Sequence, residues 1–439
     1  MKRLSFTGGV YPVKRKELVK HKEIEELPVP KKVVIPLNQH IGAPCDPKVE
    51  VNDQVKIGQV VGDTDKFVSS PVHASISGKV ISIKDMPHPV LGKCLAIIIE
   101  GDGKSEWVEK KPLKDWTAES PNVLRNRIRE AGIVGLGGAA FPTHVKLSPP
   151  KDKPIDTVIL NGAECEPYLT CDYRIMLEDT GSVITGLKII MKILGARHAY
   201  IGIEDDKIDA IRKVKGMIDD GNIKVIALKA KYPQGAEKQL IKTILNREVP
   251  SLGLPFDVGV LVQNVGTSAS ITRAIMDGEP LISRVITVTG KGVTKPKNLR
   301  VRIGTLFSDV ISFCGGLTRE PGKIIMGGPM MGLAQFTTNI PVIKGTSGII
   351  VFERDEVEIL KETPCIKCGK CVDVCPMRLL PSVLGTLSAN GRFKEAENYG
   401  VLDCIECGCC SFVCPAKRHL IQYIKLAKAE ITAMKKAAS

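Results

Sequence analysis

Aromatic side chains are scarce in this chain, 4% of 439 residues, and no run of about 18 uncharged apolar residues occurs in it. The first scarcity argues against base-stacking platforms for nucleic acid. The second excludes a membrane-spanning helix: the best candidate, 184–195, is interrupted by Lys188 and Lys192. The N-terminal 16 residues are basic but contain no apolar core of signal-peptide length. Acid is in the minority, 48 Asp+Glu against 62 Lys+Arg, for a net charge of +14. That balance admits nucleic acid, an anionic membrane surface or acidic redox proteins as partners. No Lys/Arg stripe with interleaved aromatics appears, so nucleic acid ranks last. The remaining composition, 43% hydrophobic and 25% charged, is that of a globular protein, and its length implies about three or four domains.

Disulfide-style spacing is also missing. The cysteines are grouped for metal, which points to a reducing cytosol. Eight of the fourteen form two copies of one pattern. The first is Cys365-x-x-Cys368-x-x-Cys371-x-x-x-Cys375-Pro376, and the second is Cys404-x-x-Cys407-x-x-Cys410-x-x-x-Cys414-Pro415. Three thiolates three residues apart reach three corners of one iron–sulfur cube. The fourth, beside a proline that turns the chain away, supplies the last corner of the neighbouring cube. The spacing therefore assigns Cys365, Cys368, Cys371 and Cys414 to one [4Fe–4S] cluster, and Cys404, Cys407, Cys410 and Cys375 to the other. Zinc held by paired C-x-x-C units is the competing reading, but three-plus-one spacing, doubled and closed by Cys-Pro, is not the zinc pattern. Cys409 is an alternative ligand, although the spacing to Cys414 favours Cys410. Cys45, Cys94 and Cys314 read as small core residues.

Along the chain, residues 1–32 read as a basic, Pro-rich extended arm. Residues 33–105 carry short β-rich runs, and the phrases 51–62 and 75–80 resemble the flattened barrel of biotinyl and lipoyl carrier domains. Lys66 lies near the hairpin that carries the modified lysine in those domains, but it lacks the usual neighbours. His40 and His73 read as buried or turn histidines. Residues 115–280 alternate helix and strand: helix over 122–134, strand 156–163, helix 181–195, strand 198–204, helix 206–218, strand 224–230 and helix 236–246. That order argues an open α/β sheet. Residues 283–348 read as a small β-grasp unit whose helix ends at Gly315-Gly316. Residues 352–439 are mainly helical around the cysteines. The last helix places Leu420, Ile421, Ile424, Ile431 and Met434 on one face, for its own domain, a partner or an anionic bilayer. The fold class is thus multidomain α/β plus β: a carrier-like flattened barrel, an open α/β domain, a β-grasp domain and a helical ferredoxin domain.

The second informative motif is Gly135-Leu136-Gly137-Gly138-Ala139-Ala140-Phe141, followed by Lys146. It satisfies a dinucleotide fingerprint on paper, but a helix, not a strand, precedes it. An ordinary Gly-rich turn is the bland alternative. The physical content stands either way: three glycines let the backbone approach a flat or charged ligand and aim N–H groups inward. Asn161 to Tyr168 follows a strand, where α/β sheets place ligands, and Cys165 and Cys171 flank the pocket this implies, read as packing residues with a redox role as the alternative. Tyr232 to Lys238 and Gln263 to Thr267 lie further on.

These segments, in this order, resemble the flavin-binding subunit of respiratory complex I. They are still more similar to the C-subunit family of Rnf complexes, as are the phrases 36–42, 72–74 and 327–332. The resemblance implies that Gly135, Gly137, Gly138 and Ala139 cradle FMN, with Lys146 near its phosphate. It implies that Phe141 stacks on NAD(H), and that Asn161, Glu164 and Glu166 line the pocket. Tyr232, Gly235 and Glu237 would add a wall, with Asn264 and Thr267 on the ribityl-phosphate side. Phe141 and Glu166 would serve catalysis. The sequence departs from the complex I pattern at Leu136, Ala140, Ala163 and Ala236, so the dinucleotide contacts are less specified than the flavin contacts.

Nicotinamide exchanges two electrons as hydride and an iron–sulfur cube passes one; a flavin does both, a chemical reason for one chain to hold all three. The reading that follows is a ferredoxin–NAD⁺ oxidoreductase subunit, peripheral on the cytoplasmic face of the membrane. Its partners would be the membrane subunits of an ion-translocating complex and ferredoxin or a ferredoxin-like subunit. Lys367, Lys370, Arg378, Lys417 and Arg418 would offset cluster charge. A soluble flavin subunit of a hydrogenase or formate dehydrogenase, and an electron relay without a working flavin, remain alternatives.

Overall fold

The computed structural model describes residues 3–357 and 361–438. A parallel sheet runs in the order Ile223–Leu228, His198–Glu204, Thr157–Gly162, Val260–Asn264. Its strands are near-continuous apolar runs, with Val158, Ile159 and Leu160 fully buried, as helices on both faces require. The chain winds outward from Thr157–Gly162 through the next two strands, then returns to add Val260–Asn264 on the other side. Winding reverses between Thr157–Gly162 and Val260–Asn264, which is where open α/β sheets bind ligands. Helices Thr180–Leu194 and Val265–Thr272 pack closely at Gly186, where a Cβ would stand 1.9 Å from the Ser268 carbonyl oxygen. The helix expected over 122–134 spans Pro121–Glu130, started by the Ser120 hydroxyl accepting from the Val123 N–H. It stops short because Gly132 takes φ +67°, and a Cβ there would lie 2.4 Å from the Pro71 carbonyl.

The N-terminal β-rich segment forms two small antiparallel sheets. One orders Lys32–Pro36, Gly92–Gly101, Gly78–His88 and Gln54–Val55; the other orders Asp46–Pro47, Val60–Asp63 and Val72–His73. Val33, Ile35, Val61, Val72, Val80 and Ile97 contribute to their core. His40 and His73 are buried, which lowers their pKa values to about 4 and about 3, and Lys66 is exposed. The arm is extended but stitched down. Leu4 bridges Leu228, Val10 bridges Tyr232, and Ile24–Glu26 joins a six-stranded sheet beside Lys297–Arg302. That sheet continues through Ser283–Thr289, Gly348–Glu353, Pro321–Met326 and Leu333–Gln335. Phe307, Val310 and Ile311 of helix Phe307–Phe313 pack in its core, and the helix gives way to Gly315 and Gly316, both at positive φ.

Beyond residue 360, helices Pro381–Ala389, Phe393–Asn398 and Leu420–Ala438 share a core of Leu384, Leu387, Ala396, Val401, Ile424 and Ile431. The last helix thus turns its apolar face to its own domain, with Met434 left exposed. Among the described residues, no helix is long and apolar enough to cross a membrane.

Lys344 joins three of these units. Its buried ammonium donates to the carbonyls of Pro71 (2.6 Å) and Gly132 (2.7 Å). Arg284 donates to the carbonyls of Lys344 and, at 3.3 Å, Leu136. Burial lowers the Lys344 pKa from 10.5 to about 8. Between those values the unfolded chain binds more protons than the folded one, so this group's contribution to stability rises with pH across that window. Paired unfolding measurements on the parent and Lys344→Met should therefore drift in the parent's favour from about pH 8 to 10.5, by at most roughly 3 kcal/mol. A flat difference would contradict this account.

Candidate functional site: a glycine loop at the sheet switch point and a paired cysteine motif

Asn161 and Asn264 lie at the C-terminal ends of two neighbouring strands, opposite each other in register. The Asn264 carboxamide oxygen accepts from Gly266 N–H (2.8 Å) and Thr267 N–H (3.2 Å), capping helix Val265–Thr272, while its amide donates to Asp172 (2.7 Å). Buried Thr267 accepts from the Leu136 N–H at 2.8 Å. These contacts seat the glycine loop on the switch point. A Cβ on Gly137 would lie 2.5 Å from the Asn264 amide nitrogen, so only glycine fits. The loop's base is closed by the Gly135 N–H donating to the Phe141 carbonyl at 2.9 Å. Gly137, Gly138 and Ala139 are exposed at the tip, and a Cβ on Gly138 would meet nothing within 4 Å. The loop thus presents an open backbone cradle of the kind that suits a flat, phosphorylated ligand.

Asn161 faces the other way, accepting from the Ala163 N–H (3.1 Å) and donating to the Gly235 carbonyl (2.8 Å). Phe141 is half-buried beside the loop. Lys146, expected near a phosphate, is paired with Glu237 at 2.8 Å, both partly exposed. Glu164, expected to line the pocket, turns inward: it accepts from the Asp172 N–H at 2.7 Å and lies 3.7 Å from the Lys16 ammonium. Burial raises its pKa to about 7 against the pull of Lys16. Lys16 belongs to a buried charge group with Lys207, Glu204 and Asp206.

Glu166 reaches across to the Gly327–Gly332 loop. Its carboxylate accepts from the N–H groups of Met330 (3.0 Å) and Met331 (2.9 Å), and burial raises its pKa to about 7. Tyr232 is buried, and its hydroxyl donates to the Cys407 carbonyl at 2.9 Å. Met330, Cys165 and Tyr232 pack with Cys407 and Cys409. The glycine loop's sheet and the second cysteine motif therefore meet at this point. Met330 and Cys165 carried no assigned role in the sequence, although the Gly327–Gly332 phrase and the position of Cys165 beside Glu164 and Glu166 pointed toward them.

The two cysteine motifs share one backbone form, offset by 39 residues. Lys367 and Glu406 both take positive φ, as do Gly369 and Gly408, and Arg378 and Lys417. Cys365 and Cys404 accept from the N–H two residues on; Cys375 and Cys414 accept from the N–H four residues on, each at 3.4 Å. Such N–H···S bonds tune iron–sulfur sites. Cys375, Cys404, Cys407, Cys409 and Cys410 line one largely apolar cavity. Burial raises the thiol pKa values of Cys404 to about 11 and Cys410 to about 12, so their ionisation calls for a bound cation. Cys365 and Cys368 are exposed, and Cys371 is buried against Cys410 and Leu420. Thr363 donates its N–H to the Ala416 carbonyl at 3.0 Å, strapping the start of the first motif to the end of the second. Among the described residues, no three Cys, His, Asp or Glu side chains converge on the space of a single ion. The donor set, thiols alone, has the chemistry of an iron–sulfur site.

Comparison with known proteins agrees with these features. Residues 128–273 match the Nuo51 FMN-binding domain, 4–104 the RnfC barrel sandwich hybrid domain, 285–334 the SLBB domain and 358–415 the 4Fe-4S dicluster domain. The chain is 55% identical to the C subunit of the proton-translocating ferredoxin:NAD(+) oxidoreductase complex of Clostridium ljungdahlii, over 97% of this chain and 94% of that one. It is 48% identical to the Na(+)-translocating counterpart of Acetobacterium woodii, over 98% of each. An NAD⁺-reducing [NiFe]-hydrogenase in the H2-reduced state shares the fold at TM-score 0.52 and 16% identity, over 75% of this chain and 69% of that one. The chain belongs to the family of C subunits of ion-translocating ferredoxin:NAD⁺ oxidoreductase complexes, in which it is an electron-transfer subunit.

Proposed function

We propose that this chain carries two [4Fe–4S] clusters, FMN and an NAD(H) site, and relays electrons from ferredoxin or a ferredoxin-like subunit to NAD⁺. It would do so on the cytoplasmic face of the membrane, bound to the membrane subunits. The observation that carries the reading is the junction of Tyr232 and Met330 with the Cys407 loop, which brings the switch-point sheet against one cysteine motif while Cys365 and Cys368 of the other stay exposed. Bound flavin would supply the exchange between hydride and single electrons. The backbone of Gly135, Gly137, Gly138 and Ala139 would cradle it, held down by Asn264 and Thr267, with Asn161 and Gly235 forming the adjoining wall. Phe141 would present its ring to the nicotinamide. Glu166 would set the Met330–Met331 backbone at the rim, and Lys146 with Glu237 would border the phosphate side. Glu164 would act from beneath, fixing the turn. The two N-terminal sheets would form a carrier-like flattened barrel that serves as scaffold.

The cavity that Cys375 shares with Cys404, Cys407, Cys409 and Cys410 supports crossed ligation, with Cys375, Cys404, Cys407 and Cys410 as one set. The other set would be Cys365, Cys368, Cys371 and Cys414. Cys409 occupies the place that Lys370 holds in the first repeat, which supports Cys410 as the ligand. Anaerobically reconstituted protein should contain about eight iron atoms per chain, Cys410→Ser about four, and Cys409→Ser about eight. Loss of half the iron in Cys409→Ser with none in Cys410→Ser would reverse the assignment. Tyr232→Phe removes one buried hydrogen bond to the cluster loop. Its flavin should bleach with NADH at the parental rate, while the inner cluster's midpoint potential shifts and its reduction slows. Parental values for both would reduce that contact to packing.

A further inference from the structure

Away from the switch point lies a cavity of about 180 Å³ that none of the roles above uses. Its wall includes Glu26, Trp107, Arg273, Glu279, Arg300 and Arg302. It lies where the stitched-down arm, the six-stranded sheet and the end of the glycine-loop helix come together. Most of its charges are already matched: Arg300 pairs with Glu26 at 2.8 Å, Lys110 with Glu279 at 2.5 Å, and Arg273 with Asp179 at 2.8 Å. Arg302 is different. It lies 5.8 Å over the Trp107 ring and has no carboxylate within 4 Å among the described residues. The wall therefore carries one positive charge more than its acids balance.

A guanidinium offers five donors in a planar fork, and a single carboxylate uses at most two of them. Arg273 and Arg300 thus keep donors to spare after their ion pairs. Burial and the neighbouring Arg300 lower the pKa of Arg273 against the pull of Asp179 and Glu279, and burial lowers that of Arg302 against the pull of Glu26 and Glu279. Arg273 also opens a π-helical turn, Arg273–Asp277, a distortion often found at functional sites. That turn continues directly from helix Val265–Thr272, whose Thr267 holds the glycine loop.

We propose that this cavity binds a small phosphorylated metabolite, with its phosphate seated among Arg302, Arg273 and Arg300. Three forked donors lining one cavity suit a tetrahedral oxyanion better than a planar acid. Such a site stands whether or not the flavin reading does.

Calorimetric titration of the full chain, loaded with its clusters and with FMN, with inorganic phosphate and with glycerol 3-phosphate tests it. One saturable site per chain is expected, with acetate binding more weakly than either. Arg302→Gln should weaken phosphate by about tenfold or more, since a hydrogen bond to a charged group is lost, with Arg302→Lys intermediate. In a Trp116→Phe background, Trp107 emission should change with the same dependence on phosphate. If Arg302→Gln fails to fold, Arg300→Gln carries the same test. Absence of saturable binding at millimolar phosphate, or equal affinity in a folded Arg302→Gln or Arg300→Gln variant, would overturn the proposal.

Discussion

The carboxylate of Glu166 holds the N–H groups of Met330 and Met331 at 3.0 and 2.9 Å, and the arrangement of the redox sites depends on that grip. Glu166 follows the strand Thr157–Gly162, whose C-terminal end carries Asn161 at the switch point. The gripped loop belongs to the six-stranded sheet, and its Met330 carbonyl lies where a Cβ on Gly408 would be 3.0 Å away, beside the second cysteine motif. One acid therefore ties the central parallel sheet, the six-stranded sheet and the ferredoxin-like segment at a single point. Tyr232 fastens the same point from the other side through the Cys407 carbonyl. Relaying single electrons requires fixed separations between redox groups, and position is what the protein supplies.

The remaining interfaces combine an apolar core, continuous from the N-terminal sheets into the parallel-sheet domain, with buried polar groups. Lys344 spends its charge on two carbonyls, Lys207 donates to the Ala163 carbonyl while pairing with Glu204 and Asp206, and Lys16 pairs with Glu164. Buried ion pairs contribute little net stability, because desolvation offsets their attraction. What these provide is geometry. Lys16 donates to the Glu164 carbonyl at 2.6 Å, so the arm is tied into the turn that follows the central strand.

The cysteine motifs were legible because iron–sulfur ligation depends on spacing within a short loop, and their 39-residue offset is visible in the residues themselves. The α/β alternation was legible for a similar reason, since its helices and strands are set by local periodicity. Partnerships across the sheet were not. Nothing local reveals that Asn161 and Asn264 stand in register, that Glu164 faces a buried lysine, or that Lys146 is already paired with Glu237. The arm read as extended, and nothing in it disclosed its partner: Ile24–Glu26 completes a sheet edge by pairing with the distant strand Lys297–Arg302. Long-range register of that kind is written in shape complementarity, not in any one segment.

The central claim is an ordered relay, in which the cluster of Cys375, Cys404, Cys407 and Cys410 lies between the flavin cradle and the outer, exposed cluster. Rapid freeze-quench electron resonance after anaerobic mixing with NADH tests it most directly, with Cys368→Ser and Cys410→Ser used to assign the signals. The account expects the inner-cluster signal to rise first, and the outer-cluster signal to be lost when the inner cluster is removed by Cys410→Ser. An outer cluster that reduces first, or at the parental rate in Cys410→Ser, would contradict it.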